Sequence, residues 1–389
     1  MNKIIMGLIM SLIIGFHSFA EPVKADETPI QIASEAAVLM DSQSGAILYG
    51  KNEDAKMYPA SLTKIATAIY AIEKGNLDEQ VNISEYATKI DGTKVYLNQG
   101  EQVTLKKLIL GMMVNSGNDA ALAIAIHLDG SLESYSKHVN EFLKKEVGVK
   151  NTHFTNPHGL FNENHYTTAE DLGRILNYAM KNKEFREIFG TKKIDWQGES
   201  WSTTLLSHHR ILKGEIPYEG VTGGKTGFVD ESKQTLATTA DNGKVKLSAI
   251  LLKSESKRKI YDDTIQLFDF GFANFKTSII KKGEEFKTAN KKFRANQAVF
   301  VTEPIVQAER KVSPEGMLTI KGKNGKAIQK LQLDEVANKR SEVKKTSRKP
   351  EQNGILPMNP VIGGGVFLMA AGFWVLNRKQ KKGRRYRSR

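Results

Sequence analysis

Between Gln31 and Phe275 the apolar positions follow two different periods. Ala36-Ala37-Val38-Leu39-Met40-Asp41 and Ser44-Gly45-Ala46-Ile47-Leu48-Tyr49 flank an Asp-Ser-Gln-Ser-Gly turn, which predicts a β-hairpin. Leu105 to Val114 and Ala120 to Leu128 are apolar at helical spacing. Between them, Asn115-Ser116-Gly117-Asn118 predicts a break that exposes polar side chains. Thr235 to Ala240, an Asp241-Asn242-Gly243 turn and Val245 to Leu252 predict a second hairpin. Strands at both ends with helices between them predict one domain over 26–275, its sheet joining the two ends and a helical subdomain in the middle.

After Phe275 the pattern shortens to pieces such as Ala298-Val299-Phe300-Val301 and Met317-Leu318-Thr319-Ile320, divided by Gly, Pro and Lys. A small β-sandwich domain over 276–335 is expected. Residues 336–357 turn to Lys, Arg, Ser, Glu and Pro with little to bury, the composition of a flexible basic stalk.

Both ends carry targeting patterns. Residues 1–25 read as a signal peptide: Lys3, the apolar run Ile4 to Phe16, then small residues at Ser18, Ala20, Val23 and Ala25. Cleavage is expected after Ala25, with Ala20 as the other small-x-small site. Val361 to Leu376 contains no charge, and residues 358–377 read as a transmembrane helix. Eight basic residues and no acid follow in the tail 378–389, the positive-inside pattern that leaves the tail cytoplasmic and the domains outside. Leu356-Pro357-Met358-Asn359-Pro360 resembles the start of a sortase sorting signal but departs from it at Asn359 and Pro360, so a simple membrane anchor is the reading taken.

The formal charge of +14 sits largely in that tail and in the Lys339 to Lys349 stretch. It implies no basic groove, and nucleic acid is not an expected partner. The absence of cysteine removes disulfides, thiolate zinc sites and a cysteine nucleophile. His153, His158 and His165 lack the helical His-x-x-x-His spacing of a zinc site and read as structural; no metal or cofactor is expected.

Candidate chemistry begins at Tyr58-Pro59-Ala60-Ser61-Leu62-Thr63-Lys64, which runs into the helical pattern Ile65, Ala66, Ile69. Spacing of i, i+3 places Ser61 and Lys64 on one helix face, where an uncharged amine could take the hydroxyl proton. The spacing alone is common, as Ser134/Lys137, Ser254/Lys257 and Ser278/Lys281 share it. What distinguishes Ser61 is the later pair of motifs, Ser116-Gly117-Asn118 and Lys225-Thr226-Gly227.

With this trio, and with Phe154-Thr155-Asn156-Pro157-His158-Gly159-Leu160 and Gly223-Gly224-Lys225-Thr226-Gly227-Phe228, the chain from Ile32 to about Leu333 resembles the low-molecular-mass penicillin-binding proteins, the serine D-alanyl-D-alanine carboxypeptidases. The resemblance implies an α/β (α+β) fold of the DD-peptidase/β-lactamase-like type, an antiparallel sheet flanked by helices. It implies Ser61 as acylated nucleophile, Lys64 as general base, and Ser116 with Asn118 in proton relay and substrate binding. Lys225 and Thr226 would hold the substrate carboxylate, while Gly227 lies on the same substrate-binding strand and the backbone N–H groups of Ser61 and Phe228 would form the oxyanion hole. The charge of Lys225, with partial burial, would lower the proton affinity of Lys64. Where the family usually has an arginine this chain has Ile260, and Arg258 is the candidate replacement. Implied partners are peptidoglycan stem peptides ending in D-Ala-D-Ala, β-lactam antibiotics and, through the C-terminal helix, the membrane.

Two other functions compete. A β-lactamase of class A would need a Glu-x-x-x-Asn loop, and none occurs between Ser116 and Lys225. A non-catalytic penicillin-binding or wall-binding protein would not need Ser61, Lys64 and Lys225 together.

Overall fold

The computed structural model describes residues 30–336 except positions 200, 323 and 324. Five antiparallel strands form the central sheet in the order Ile47–Lys51, Ala36–Asp41, Lys246–Ser254, Lys233–Asp241, Val221–Val229. Both expected hairpins are present, and Val38 faces Ile250 where the first strand pairs with the late one. The sheet therefore joins the two ends of the domain.

Ala36–Asp41 is buried at every position because the sheet is covered on both sides. Strand alternation sends Ala36, Val38 and Met40 into one core and Ala37 and Leu39 into another. The first core is shared with helices Thr63–Lys74, Leu105–Val114, Asn118–Asp129 and Ala169–Ala179, through residues such as Ile65, Leu108, Leu122 and Leu172. The second is closed by helix Lys259–Asn274 through Ile260, Tyr261, Leu267 and Phe268. Val221–Val229 ends the sheet, so among the described residues its outer edge has no strand partner.

From Phe275 to Val336, the described part of the chain is all β. Phe275–Ile280 pairs with Val299–Pro304, and two three-stranded sheets enclose Ile280, Phe293, Val301, Leu318, Ile320 and Leu333. Asp41 ties this region to the central sheet, accepting hydrogen bonds from Thr277 Oγ1 at 2.8 Å and Thr302 Oγ1 at 2.7 Å. Among the described residues no helix is long and apolar enough to cross a membrane. The leader 1–25, the stalk from 337 onward, the segment 358–377 and the basic tail lie outside the described residues.

Candidate active site

Ser61 lies in a single 3-10 turn, Ala60–Leu62, that continues into helix Thr63–Lys74. Ala60 has φ 48°, a left-handed conformation that a residue with a Cβ adopts only when its surroundings enforce it. Here Thr235 Oγ1 donates to Pro59 O at 3.0 Å and Thr63 Oγ1 donates to Ala60 O at 2.8 Å. Gly159 presses on the same carbonyl so closely that a Cβ there would lie 1.8 Å from it.

Lys64 follows one turn later, fully buried. Its Nζ is 2.9 Å from Ser61 Oγ, 2.7 Å from Asn118 Oδ1 and 2.8 Å from the His158 carbonyl oxygen. Asn118 Nδ2 donates to Asp91 O at 2.7 Å, so Oδ1 is the amide atom turned to the lysine. Both carbonyl oxygens only accept. A neutral amine has two N–H groups for those two acceptors, and its lone pair then faces the Ser61 hydroxyl. Burial holds the Lys64 amine well below the usual lysine range; the Lys225 charge adds to this, while Asp119 opposes it.

The break expected at Asn115–Asn118 separates helix Leu105–Val114 from helix Asn118–Asp129. Ser116 occupies it at φ 64°. Buried Asp119 pins the break to the preceding loop, accepting from Val95 N at 3.0 Å, Leu97 N at 3.2 Å and Ala120 N at 2.9 Å. Across the site Lys225, also fully buried, donates to Ser116 Oγ at 3.0 Å and to Thr226 O at 2.9 Å. Burial pushes its pKa down to about 7.

The Lys225 strand passes directly beside Ser61. A Cβ on Gly227 would lie 2.8 Å from Ser61 N and 2.5 Å from Thr235 Oγ1, so only glycine allows this approach. Phe228 is exposed on the following position, and Thr226 is half-buried. The Ser61 N–H belongs to the first turn of its helix, where no intrahelical acceptor exists.

Ser61, Lys64 and Asn118 are thus joined by hydrogen bonds, and Lys225 with Ser116 forms a second hydrogen-bonded pair whose charge acts on Lys64, with Thr226, Gly227 and Phe228 on the adjoining strand. Arg258 is part of neither group: it is exposed at the start of helix Lys259–Asn274 and its side chain makes no hydrogen bond or ion pair among the described residues. Ile260, at the position of the expected arginine, is buried in the second core.

Two participants escaped the sequence, the His158 carbonyl and the Asp119 pin. The histidines support the backbone. His165 Nδ1 accepts from Thr155 N at 3.0 Å, leaving Nε2 to donate to Thr63 Oγ1 at 2.8 Å. His158 Nδ1 accepts from Leu160 N at 3.1 Å. Burial lowers both to about 3, so they remain neutral and add no positive charge beside Lys64.

Gly227→Ala forces the strand away from Ser61, and losing one backbone donor at a developing oxyanion costs ~3 kcal/mol. The variant is therefore expected to react with an acylating probe at Ser61 roughly 100-fold more slowly in stopped-flow measurements. An unchanged rate would show that the strand backbone is not needed there.

The family of D-alanyl-D-alanine carboxypeptidases matches this chain over residues 22–256. D-alanyl-D-alanine carboxypeptidase DacF of Bacillus subtilis is 29% identical over 337 residues, covering 85% of this chain and 83% of that protein. D-alanyl-D-alanine carboxypeptidase DacA of Haemophilus influenzae is 32% identical over 294 residues, covering 69% of this chain and 70% of that one. Among solved structures, penicillin binding protein 5 from Haemophilus influenzae superimposes with a TM-score of 0.68 at 27% identity, covering 79% of this chain and 98% of its own. The chain belongs to the D-alanyl-D-alanine carboxypeptidase family and is a serine peptidase of that class.

Proposed function

We propose that this carboxypeptidase removes the terminal D-alanine of peptidoglycan stem peptides through an acyl-enzyme at Ser61, and that penicillins acylate the same serine. The observation that carries the reading is the environment of Lys64, whose amine has two carbonyl acceptors and one hydroxyl neighbour. Lys64 takes the Ser61 proton as Oγ bonds to the scissile carbonyl carbon, and the N–H groups of Ser61 and Phe228 receive the oxyanion. Collapse of the tetrahedral intermediate breaks the C–N bond. The departing amine takes, through Ser116, the proton that Lys64 had received, which returns Lys64 to its neutral form; Lys225 holds Ser116 in place. Water then attacks the ester, giving up a proton to Lys64, and Ser61 regains its hydroxyl.

The substrate carboxylate falls to Lys225 and Thr226, and Arg258, exposed and without an ion pair among the described residues, is the second cation offered to it. Export and anchoring belong to the same reading. They rest on the leader 1–25 and on the uncharged Val361 to Leu376 run followed by eight basic residues.

Ser61→Ala should lose both D-alanine release and covalent labelling by a fluorescent penicillin. Lys64→Ala should slow acylation by about 100-fold or more, because general base catalysis supplies that much, while the affinity of the first, non-covalent complex stays within a few fold. Labelling that survives Ser61→Ala would refute the assignment.

The lowered pKa of Lys225 sets a pH dependence. Below about 7 the group is cationic and holds a carboxylate; as pH rises through that value the charge is lost. For peptides with a free terminal carboxylate, kcat/KM is expected to carry a falling limb with its midpoint near 7. The matching terminal amides should lack that limb, and identical profiles for acid and amide would remove Lys225 from carboxylate binding.

A further inference from the structure

A cavity of about 240 Å³ is lined by Lys56, Tyr58, Glu163, Tyr166, Glu231 and Lys253. Two connections fix its place relative to the active site. Lys56 to Tyr58 run straight into Pro59-Ala60-Ser61, and Glu231 lies in the turn after strand Val221–Val229, three positions past Phe228.

A peptide lying along the free outer edge of that strand has a fixed direction. Its carboxylate sits at Lys225 and Thr226 and its scissile carbonyl at Ser61 and Phe228. The residues before the scissile bond must then run towards Val229 and the turn. Glu231 lies in the hairpin turn that joins Val229 to Lys233, just past the strand end beside Phe228 and within reach of one long side chain.

The charges of the cavity are unevenly committed. Lys253 is paired with Glu35 at 2.7 Å, and the Lys56 amine lies over the Tyr166 ring, 4.2 Å from its centre. Glu163 and Glu231 are exposed and make no side-chain hydrogen bond or ion pair among the described residues. The lining therefore holds two lysines that are already engaged and two glutamates whose charge is left for a ligand. Tyr58 and Tyr166 supply apolar wall for the methylene stem of a cationic side chain.

We propose that this cavity is the subsite for the side chain of the residue preceding the D-alanyl pair, and that Glu163 and Glu231 select a side chain ending in a primary amine. The proposal rests on the acyl-enzyme reading of Ser61, which fixes the direction of the peptide. The test uses two Nα-acetylated Lys-D-Ala-D-Ala peptides that differ only in acetylation of the lysine side-chain amine. The wild-type protein is expected to release D-alanine from the free-amine peptide with about tenfold higher kcat/KM, a discrimination within the range of charge-assisted contacts. In E163Q/E231Q the ratio should fall to near one, and E163Q and E231Q singly should give intermediate ratios. Equal kcat/KM for the two peptides in the wild type, or a ratio that survives in the double variant, would overturn the subsite. Those outcomes leave the Ser61 reading intact, because that reading is tested separately, by cleavage of either peptide or penicillin labelling in Ser61→Ala.

Discussion

Burying the Lys64 amine beneath Ser61 imposes a hydrogen-bond count that the surrounding elements have to meet. Its two carbonyl acceptors come from distant parts of the chain, the Asn118 side chain and the His158 backbone. Asn118 is aimed by its bond to Asp91 O, and its helix start is fixed by Asp119. The loop carrying His158 is held by Asn156 Oδ1, which accepts from Gly159 N at 2.7 Å, and by His165 against Thr63. Each support arranges acceptors around one nitrogen so that a lone pair, rather than a third proton, meets the serine.

The same arrangement works against stability. Lys225 is buried with its pKa near 7 against an ordinary value of 10.5, which at neutral pH corresponds to roughly 5 kcal/mol of unfavourable burial. Between those values the unfolded chain binds more protons than the folded one, so this group makes stability rise with pH across that window. Ala60 and Ser116 add backbone strain at the two turns that present the reacting groups. The cores on both faces of the sheet offset these terms, and the all-β region extends the sheet's support through Asp41.

Much of this was legible in the sequence because it is carried by periodicity and by side chains with a characteristic spacing. Both sheet hairpins, the break at Asn115–Asn118 and the Ser61, Ser116 and Lys225 motifs all appear where the pattern puts them. What the sequence hid is backbone. The His158 carbonyl has no residue signature, the closeness of Gly227 to Ser61 N depends on tertiary approach, and the left-handed Ala60 carries no local warning. The hairpin Lys193–Gln197 with Ser202–Leu206 was equally invisible, since its strands are mostly polar and only Trp196 and Leu205 are buried. Arg258 was proposed from proximity in sequence to Ile260; the helix beginning at Lys259 turns Ile260 into the core and leaves Arg258 exposed.

Lys64 is a neutral amine at physiological pH because it is buried beside the Lys225 charge, and its two carbonyl acceptors then orient its lone pair towards Ser61. NMR titration of selectively labelled lysine side chains, with the Lys64 resonance assigned by its loss in Lys64→Arg, measures this directly. The Lys64 amine is expected to be deprotonated at pH 7, with its proton affinity well below that of exposed lysines. A Lys64 resonance that stays protonated at pH 7 and titrates near the ordinary lysine value would contradict it.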